Sequence, residues 1–573
     1  MEPINLLSKV SLSIYEKRKY LLSFDYLIPA LIVLLCTFQP YLFNGIIDYW
    51  ETGVYLPAIN ELFHHKILFR DVMITRGPLE IYIPAFFMSL FGRHINVLTA
   101  CLYYGNVLAI LFMVYIARAL LKRRIFLYLL IPVLIAYSFP FVYSKIWGGL
   151  RFACGGAAIL CALIYFRRRK AMFLLLSGLF TALGFFFSIE MGLFPFLAVS
   201  ITLLVFKEKE SFLRAIFFYL TGIIAIVLPF LLYIFFTGSM WSYFQNIISV
   251  PVSASAAYHF EILFPDMPGN PLAALKCLIQ PFTTNFPYSF PLLIYLGLGI
   301  YLFNLFLKYK NNERIKQLFC IGLFGLLMYF GSFRQINGPQ FQAASQPALV
   351  SLFVILETMV VSLRGNQLSG KLNVRSFILG SILFLFIFLL SFLSIFTVKN
   401  YMVYGFNIDR VIHRQINRGS FPTSNYAGML NIKTAQGLLV PDWQAGEINS
   451  LVTYIQKNTS PDEIIPAFPD RGVFNFFFDR PCLGRFCQAD IASFREDWMK
   501  EFFSRLKESK PRYIVYKREI DCFEPLISDY PVVRNRDRIR SFIKNNYSIE
   551  TSFVNFDVYK IKENDGKENN RKH

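Results

Sequence analysis

Long apolar stretches recur along the first 398 residues of the chain and then give way to a more polar tail. Many of these stretches approach 20 residues, the length a helix needs to cross the hydrocarbon core of a bilayer. Charged residues stand in short groups between the stretches, as expected because ionisable side chains are costly in lipid. The pattern predicts a polytopic α-helical membrane protein.

We predict about eleven membrane spans from this pattern. The first apolar run is too long for the core of a signal peptide and lacks a small-residue cleavage site, so we interpret it as an uncleaved span. The eleven spans are expected at 26–46, 97–120, 125–143, 149–166, 171–187, 191–206, 215–236, 289–307, 317–333, 341–363 and 376–398. The fifth and sixth should form a tight hairpin.

Basic residues cluster in every second connection between the predicted spans. The clusters fall at 118–124, 167–170, 207–214, 308–316 and 364–375. Cytoplasmic loops of membrane proteins carry an excess of Lys and Arg, so these connections should face the cytoplasm. The segments at 48–96, 144–149, near 188, at 237–288 and near 335 should then face outward, together with everything after 399.

The polar tail predicts a soluble extracytoplasmic α/β domain over 399–561. Helical spacing is found at 447–458 and 493–508, and strand-like segments occur at 463–468, 512–517 and 554–561. The last residues, 562–573, are polar and predicted to be disordered. We therefore expect a membrane domain over 1–398, with the loop 48–96 belonging to it, and one outer domain.

Composition supports a chain that lies partly in lipid. Hydrophobic residues make up 55% of the sequence, with 63 Phe, and charged residues only 16%. The net charge of +20 is concentrated beside apolar segments, where it fits anionic headgroups better than a nucleic acid. From this distribution of charge we expect no nucleic-acid partner. The sequence also contains no phosphate-binding Gly-rich loop of a nucleotide-dependent enzyme.

The first outward loop, residues 48–96, is unusually rich in ionisable side chains. One interpretation is an interfacial loop without a function, whose charged side chains extend to lipid headgroups and water. It is about as plausible as a functional site. The ionisable residues in question are Asp48, Glu51, Glu61, Arg70, Asp71, Arg76 and Glu80.

Three segments of this loop carry a family resemblance. They are ETGVYL at 51–56, FRD at 69–71 and RGPL at 76–79. In order and spacing they resemble the GT-C superfamily of membrane glycosyltransferases, which includes protein O-mannosyltransferases and lipid A aminoarabinose transferases. The region 333–349 and the tail segments 478–486 and 511–515 resemble the family more loosely.

The resemblance implies a glycosyltransferase that takes sugar from a polyprenyl-phosphate carrier. The acceptor would be a glycan, lipid or protein on the outer face of the cytoplasmic membrane. No cofactor is implied; a divalent metal is possible, but no motif indicates one. The turn at 144–149 lacks the second acid that many relatives place there, which weakens the case for a metal-bridged site.

The family motif also assigns roles to residues. A lipid-linked transfer needs a carboxylate to take the acceptor proton and cations beside the leaving phosphate. Glu51 is the expected base, with Asp48 as the alternative, and Asp71 would orient Arg70 or a substrate hydroxyl. The expected substrate-binding residues are Arg70, Arg76, Tyr55, Lys145, Arg151 and Arg334.

Two other interpretations of the membrane part remain open. One is a non-catalytic transporter or lipid-handling scaffold with the same architecture, and the other is a family member that kept binding but lost catalysis. A transporter would favour ionisable groups at mid-span in inverted repeats. Here the charges concentrate in one outer loop, which favours the enzyme.

Two cysteines of the tail, Cys482 and Cys487, form a single Cys-x4-Cys pair. Zinc motifs usually show a second such pair, and in an oxidising compartment a loop disulfide is the more frequent outcome. We therefore expect these two residues to be joined by a disulfide or left apolar, rather than to hold a metal.

The basic connections predict that the N-terminus is cytoplasmic and that the tail is external. Alkaline phosphatase fused after Asn564 should be active, and green fluorescent protein at the same position should be dark. The reverse pair of signals would overturn the topology, and with it the expectation that the loop 48–96 meets outer water.

Overall fold

The computed structural model describes residues 23–38, 42–45, 47–139, 144–207, 212–257, 273, 276, 286–308, 312–332, 339–367, 428–468, 472–487, 489–518 and 530–562. The predicted eleventh span, Arg334, the start of the outer domain at 399–427 and the end of the tail lie outside these residues.

Helices dominate the described part of the chain. They are α1 (Ile28–Cys36), α2 (Tyr49–Thr52), α3 (Leu56–Phe63), α4 (Pro78–Phe91), α5 (Ile95–Leu120), α6 (Arg124–Ser138), α7 (Leu150–Arg168), α8 (Ala171–Phe187), α9 (Ile189–Val205), α10 (Phe212–Phe236), α11 (Met240–Ala257), α12 (Phe286–Lys308), α13 (Glu313–Gly331), α14 (Pro339–Ala344), α15 (Gln346–Gln367), α16 (Asp442–Asn458), α17 (Val473–Phe478), α18 (Ala489–Ala492), α19 (Glu496–Ser509) and α20 (Tyr530–Asn546). The strands are β1 (Gly428–Met429), β2 (Leu439–Val440), β3 (Ala467–Phe468), β4 (Tyr513–Lys517), β5 (Tyr547–Ser552) and β6 (Phe556–Ile561).

The prediction of a multi-pass helical membrane protein is confirmed, but the count of eleven spans is not. Among the described residues, 6 helices are long and apolar enough to cross a bilayer. Four further predicted spans coincide with shorter apolar helices of 10–17 residues, and the eleventh lies outside the described ranges. The predicted hairpin is present, since α8 ends at Phe187 and α9 begins at Ile189.

The chain forms two compact units, and the first contains the apolar helices. It comprises residues 1–40, 100–229 and 261–417. Within it α7 packs against α8, α9 and α13. Several buried residues of α7 are small, including Gly155, Gly156 and Ala158, and they let neighbouring helices approach closely.

Glycines bring α8 and α10 into backbone contact inside this unit. A Cβ atom on Gly178 would stand 2.0 Å from the carbonyl oxygen of Tyr219, and one on Gly222 would stand 2.1 Å from that of Leu175. No side chain larger than hydrogen fits at either position. This reciprocal pair is the close crossing that small residues allow between membrane helices.

The second unit comprises residues 41–99, 230–260 and 418–573. The loop 48–96, which we expected to belong with the membrane domain, lies in this unit together with the tail. Its four-stranded sheet has the order β3-β4-β6-β5, with β3 and β4 parallel and the other pairs antiparallel. The predicted α/β character of the tail is confirmed.

A hydrophobic core joins the loop 48–96 to the tail. Met73 of the loop is buried in the same cluster as Trp498, Phe502 and Ile514. The Met73 amide also donates a hydrogen bond of 2.8 Å to the carbonyl of Arg485. The loop is therefore an integral part of the second unit.

The α8–α10 crossing yields a stability prediction with an internal control. Gly178→Ala should lower the melting temperature of the detergent-purified protein, because overpacking typically costs about 1–3 kcal/mol. Gly299→Ala is the control, since a Cβ there meets nothing within 4 Å and Ala favours the helix by about 0.5–1 kcal/mol. Equal melting temperatures for the two variants would contradict the described crossing.

Candidate functional site

The first candidate carboxylate, Asp48, caps the short helix α2. Its Oδ1 accepts a hydrogen bond of 3.0 Å from the backbone N–H of Glu51, and its carbonyl accepts one of 3.0 Å from the Thr52 amide. An Asp at this position satisfies amides that the helix leaves open. Asp48 thus fixes the backbone from which Glu51 projects.

Arg76 lies between two carboxylates. Its Nη2 is 3.8 Å from Oε2 of Glu51, and its Nε is 3.9 Å from Oε2 of Glu80. The Glu51 side chain is 24% exposed, whereas that of Glu80 is 3% exposed. Arg76 therefore pairs with one carboxylate on a partly exposed side chain and with a second on a buried side chain.

Glu80 is the residue that sequence reasoning noted but did not assign to the site. It lies in the first turn of α4, which begins with Pro78, and a carboxylate there interacts favourably with the helix N-terminus. The RGPLE segment contained a sequence signal for this pair. Pro is favoured at the start of a helix, and Glu80 stands four residues after Arg76.

Asp71 and Arg70 form a local pair. Arg70 donates from Nε and Nη2 to the two carboxylate oxygens of Asp71, each at 2.9 Å. The Ile67 amide also donates to Asp71 at 3.0 Å, and Arg70 reaches the carbonyl of Thr237 at 3.3 Å. The hydrogen bonds from Arg70 lower the pKa of Asp71, which keeps this carboxylate ionised at neutral pH.

Tyr55 is fully buried where α3 begins. Its side chain therefore packs in the interior of the loop and forms no part of its surface. The tail supports the loop on this side. The ring of Tyr49 packs at 5.2 Å from that of Phe474, and Gln444 exchanges hydrogen bonds of 2.9 and 3.0 Å with the backbone of Ile47.

Lys145, in the 144–149 turn, and Arg151, in the first turn of α7 just after it, belong to the first unit. Arg151 is buried, with its guanidinium carbon 4.1 Å from the centre of the Trp147 ring. Such stacking favours Arg over Lys. Burial lowers the pKa of Lys145.

Asn106 of α5 holds this turn in place. Its Nδ2 donates to the carbonyls of Ser144 at 3.0 Å and Trp147 at 2.8 Å, and its Oδ1 accepts from the Gly149 amide at 3.0 Å. Gly148 has φ +94° and a Cβ on it would stand 2.4 Å from the Asn106 Oδ1. The buried Asn106 amide and Gly148 therefore position the turn that contains Lys145 and leads directly to Arg151.

The structure brings the predicted residues into three groups. Asp48, Glu51 and Arg76 stand together in the second unit with Glu80, Arg70 pairs with Asp71, and Lys145 and Arg151 lie within and just after one turn of the first unit. In the tail, Cys482 and Cys487 are free thiols, so the expected disulfide is not formed. Their sulfurs lie beside the Glu61 carboxylate instead.

Removing the Asn106 amide should loosen the turn 144–149. Asn106→Ala leaves buried carbonyls and an amide without their partner, at about 1–3 kcal/mol for each unsatisfied group. Hydrogen exchange followed by mass spectrometry should show faster exchange in this segment. Asn304→Ala is the control, because Asn304 is exposed and its side-chain amide donates to the Ile300 carbonyl of its own helix at 2.9 Å. Unchanged exchange in Asn106→Ala would contradict the assigned role.

Comparison with known proteins rests on structure. No protein-family model matches the sequence. No curated protein matches it either. Among solved structures, archaeal oligosaccharyltransferase AglB from Archaeoglobus fulgidus, in complex with an inhibitory peptide and a dolichol-phosphate, aligns with a TM-score of 0.46 and 14% identity, over 96% of this chain and 75% of that one.

ArnT from Cupriavidus metallidurans aligns over nearly the full length of both proteins. The crystal structure bound to undecaprenyl phosphate gives a TM-score of 0.50 at 12% identity, covering 93% of this chain and 97% of that chain. At this identity the similarity shows the fold. The chain therefore has the fold of ArnT, in agreement with the architecture expected from the motifs of the first loop.

Proposed function

We propose that this protein transfers a sugar from a polyprenyl-phosphate carrier to an envelope acceptor on the outer face of the cytoplasmic membrane. The observation that carries the proposal is the Glu51 side chain, which is 24% exposed and has one carboxylate oxygen 3.8 Å from Arg76, within the segment that resembles the family motif. The shared fold with ArnT, whose crystal structure contains undecaprenyl phosphate, supports a lipid-linked donor.

Glu51 is the general base in this proposal. The acceptor hydroxyl attacks the anomeric carbon, and its proton passes to the Glu51 carboxylate. The bond between that carbon and the phosphate oxygen breaks, and the polyprenyl phosphate leaves with the electron pair. A direct displacement of this kind inverts the anomeric centre. Proton transfer to a positioned side chain typically contributes about 10²–10⁴-fold to the rate.

Arg76 positions the base in this proposal. Its guanidinium lies 3.8 Å from the Glu51 carboxylate, and the buried Glu80 holds the other side of the guanidinium at 3.9 Å. With two carboxylates as neighbours, Arg76 is better suited to orient Glu51 than to hold a phosphate, the role that the motif alone suggested for it.

Lys145 and Arg151 are the proposed partners of the donor phosphate. Arg presents a planar fork that matches phosphate oxygens, and Lys contributes a compact charge. They lie within and just after the turn that Asn106 holds in a defined conformation. A preorganised cation of this kind stabilises the charge that develops on the leaving phosphate.

Glu51→Gln should lower the rate of sugar transfer in isolated membranes by about 10²–10⁴-fold, the usual worth of a general base. Asp48→Asn should cost less, because the side-chain oxygen that caps α2 remains. Glu508→Gln, on an exposed helix face of the tail, is the matched control and should leave transfer unchanged. Expression and melting temperature should stay close to wild type in all three.

The same series separates the alternatives. Full activity in Glu51→Gln with none in Asp48→Asn would move the base to Asp48. Wild-type transfer in both variants would refute the proposed chemistry and favour a non-catalytic membrane scaffold.

A further inference from the structure

Three buried side chains with metal-ligating atoms converge where the loop 48–96 meets the tail. They are Glu61 of α3 and the two cysteines at 482 and 487. The two sulfurs and a carboxylate oxygen all lie within 4.8 Å of one another. The residues are 1%, 5% and 6% exposed. The cluster is distinct from the group around Glu51 and Arg76.

The backbone around the cysteines is shaped to bring them together. Gly484, midway between Cys482 and Cys487, has φ +60°, which closes the short loop. Gly472 has φ +74°, and a Cβ there would stand 2.2 Å from the carbonyl oxygen of Cys487. No side chain larger than hydrogen fits at Gly472. The backbone of Cys487 therefore packs directly against the backbone at Gly472.

The carboxylate is held in the same place by hydrogen bonds. Oε1 of Glu61 accepts from the Cys482 amide at 2.9 Å and from Nδ2 of Asn60 at 3.3 Å. Its position is therefore fixed from both the loop and the tail. A carboxylate oriented by outer hydrogen bonds is the arrangement typical of a metal ligand.

The composition of the cluster favours a cation over a disulfide. A disulfide would use the two sulfurs and leave the buried Glu61 carboxylate beside an apolar bond. A divalent cation would take all three groups as ligands.

We propose that Glu61, Cys482 and Cys487 bind one Zn²⁺ ion. Zn²⁺ takes thiolate and carboxylate ligands at about 2.3 and 2.0–2.2 Å, with tetrahedral geometry. Two sulfurs on such an ion stand about 3.8 Å apart, so shifts of about 1 Å or less bring the present atoms into place. Binding displaces the thiol protons to solvent, and a water molecule completes the tetrahedron.

The ion would cross-link the loop 48–96 to the tail within the second unit. The same junction already contains a hydrogen bond of 2.9 Å from Asn60 to the Arg480 carbonyl and an ion pair of 2.7 Å between Arg93 and Asp479. Binding to a site that exists only in the folded chain adds to stability. The role is structural and does not rest on sugar transfer.

Metal content of the purified full-length protein tests the proposal. Inductively coupled plasma mass spectrometry should find about one zinc per chain in the wild type. Cys482→Ser, Cys487→Ser and Glu61→Gln should each lose most of it. Cys101→Ser, in an apolar helix, and Glu508→Gln should retain it. Equal zinc in all five variants, or none in the wild type after growth with zinc, would overturn the proposal.

A measurement on the unmutated chain covers the case in which a variant fails to fold. Co²⁺ added to the metal-depleted wild type should give the near-ultraviolet charge-transfer band of a thiolate-bound ion, saturating at one equivalent. Peptide mapping without reductant should recover both cysteines as alkylatable thiols once the metal is chelated. A Cys482–Cys487 disulfide, or free thiols that bring no such band, would contradict the site.

Discussion

Two buried polar side chains of α3 hold the loop 48–96 in place. The fully buried Asn60 donates to the Arg480 carbonyl at 2.9 Å and accepts from Arg93 at 2.7 Å, while its neighbour Glu61 accepts from the Cys482 amide. A buried polar group without its partner costs about 1–3 kcal/mol. These contacts therefore fix the position of the loop against the tail, and the position of Glu51 depends on them.

The chemistry of the site follows from what surrounds each charge. Arg70 and Asp71 pair with each other. Arg76, in contrast, lies between the buried side chain of Glu80 and the partly exposed side chain of Glu51. Of these two side chains, that of Glu51 is the more exposed, at 24% against 3%. The turn 144–149 has a different character, since the Trp147 ring stacks against Arg151 and the buried amide of Asn106 holds the backbone.

Much of the fold could be predicted because hydropathy is a local property. The helix Leu150–Arg168 was expected at 149–166, and the strand Tyr513–Lys517 at 512–517. Strand β5 escaped prediction, because most of its residues are exposed and it shows no apolar alternation. The apolar helix Pro78–Phe91 lies inside a segment expected to be loop. Glu61 and Cys482 are 421 residues apart, so no spacing rule could join them.

The central claim is that the protein moves a sugar onto an envelope component. Mass spectrometry of envelope glycans and lipids should compare a strain lacking the protein with strains complemented by wild type or by Glu51→Gln. The account predicts one sugar modification that is absent without the protein, restored by wild type, and not restored by the variant. An envelope of identical composition in all three strains would contradict it.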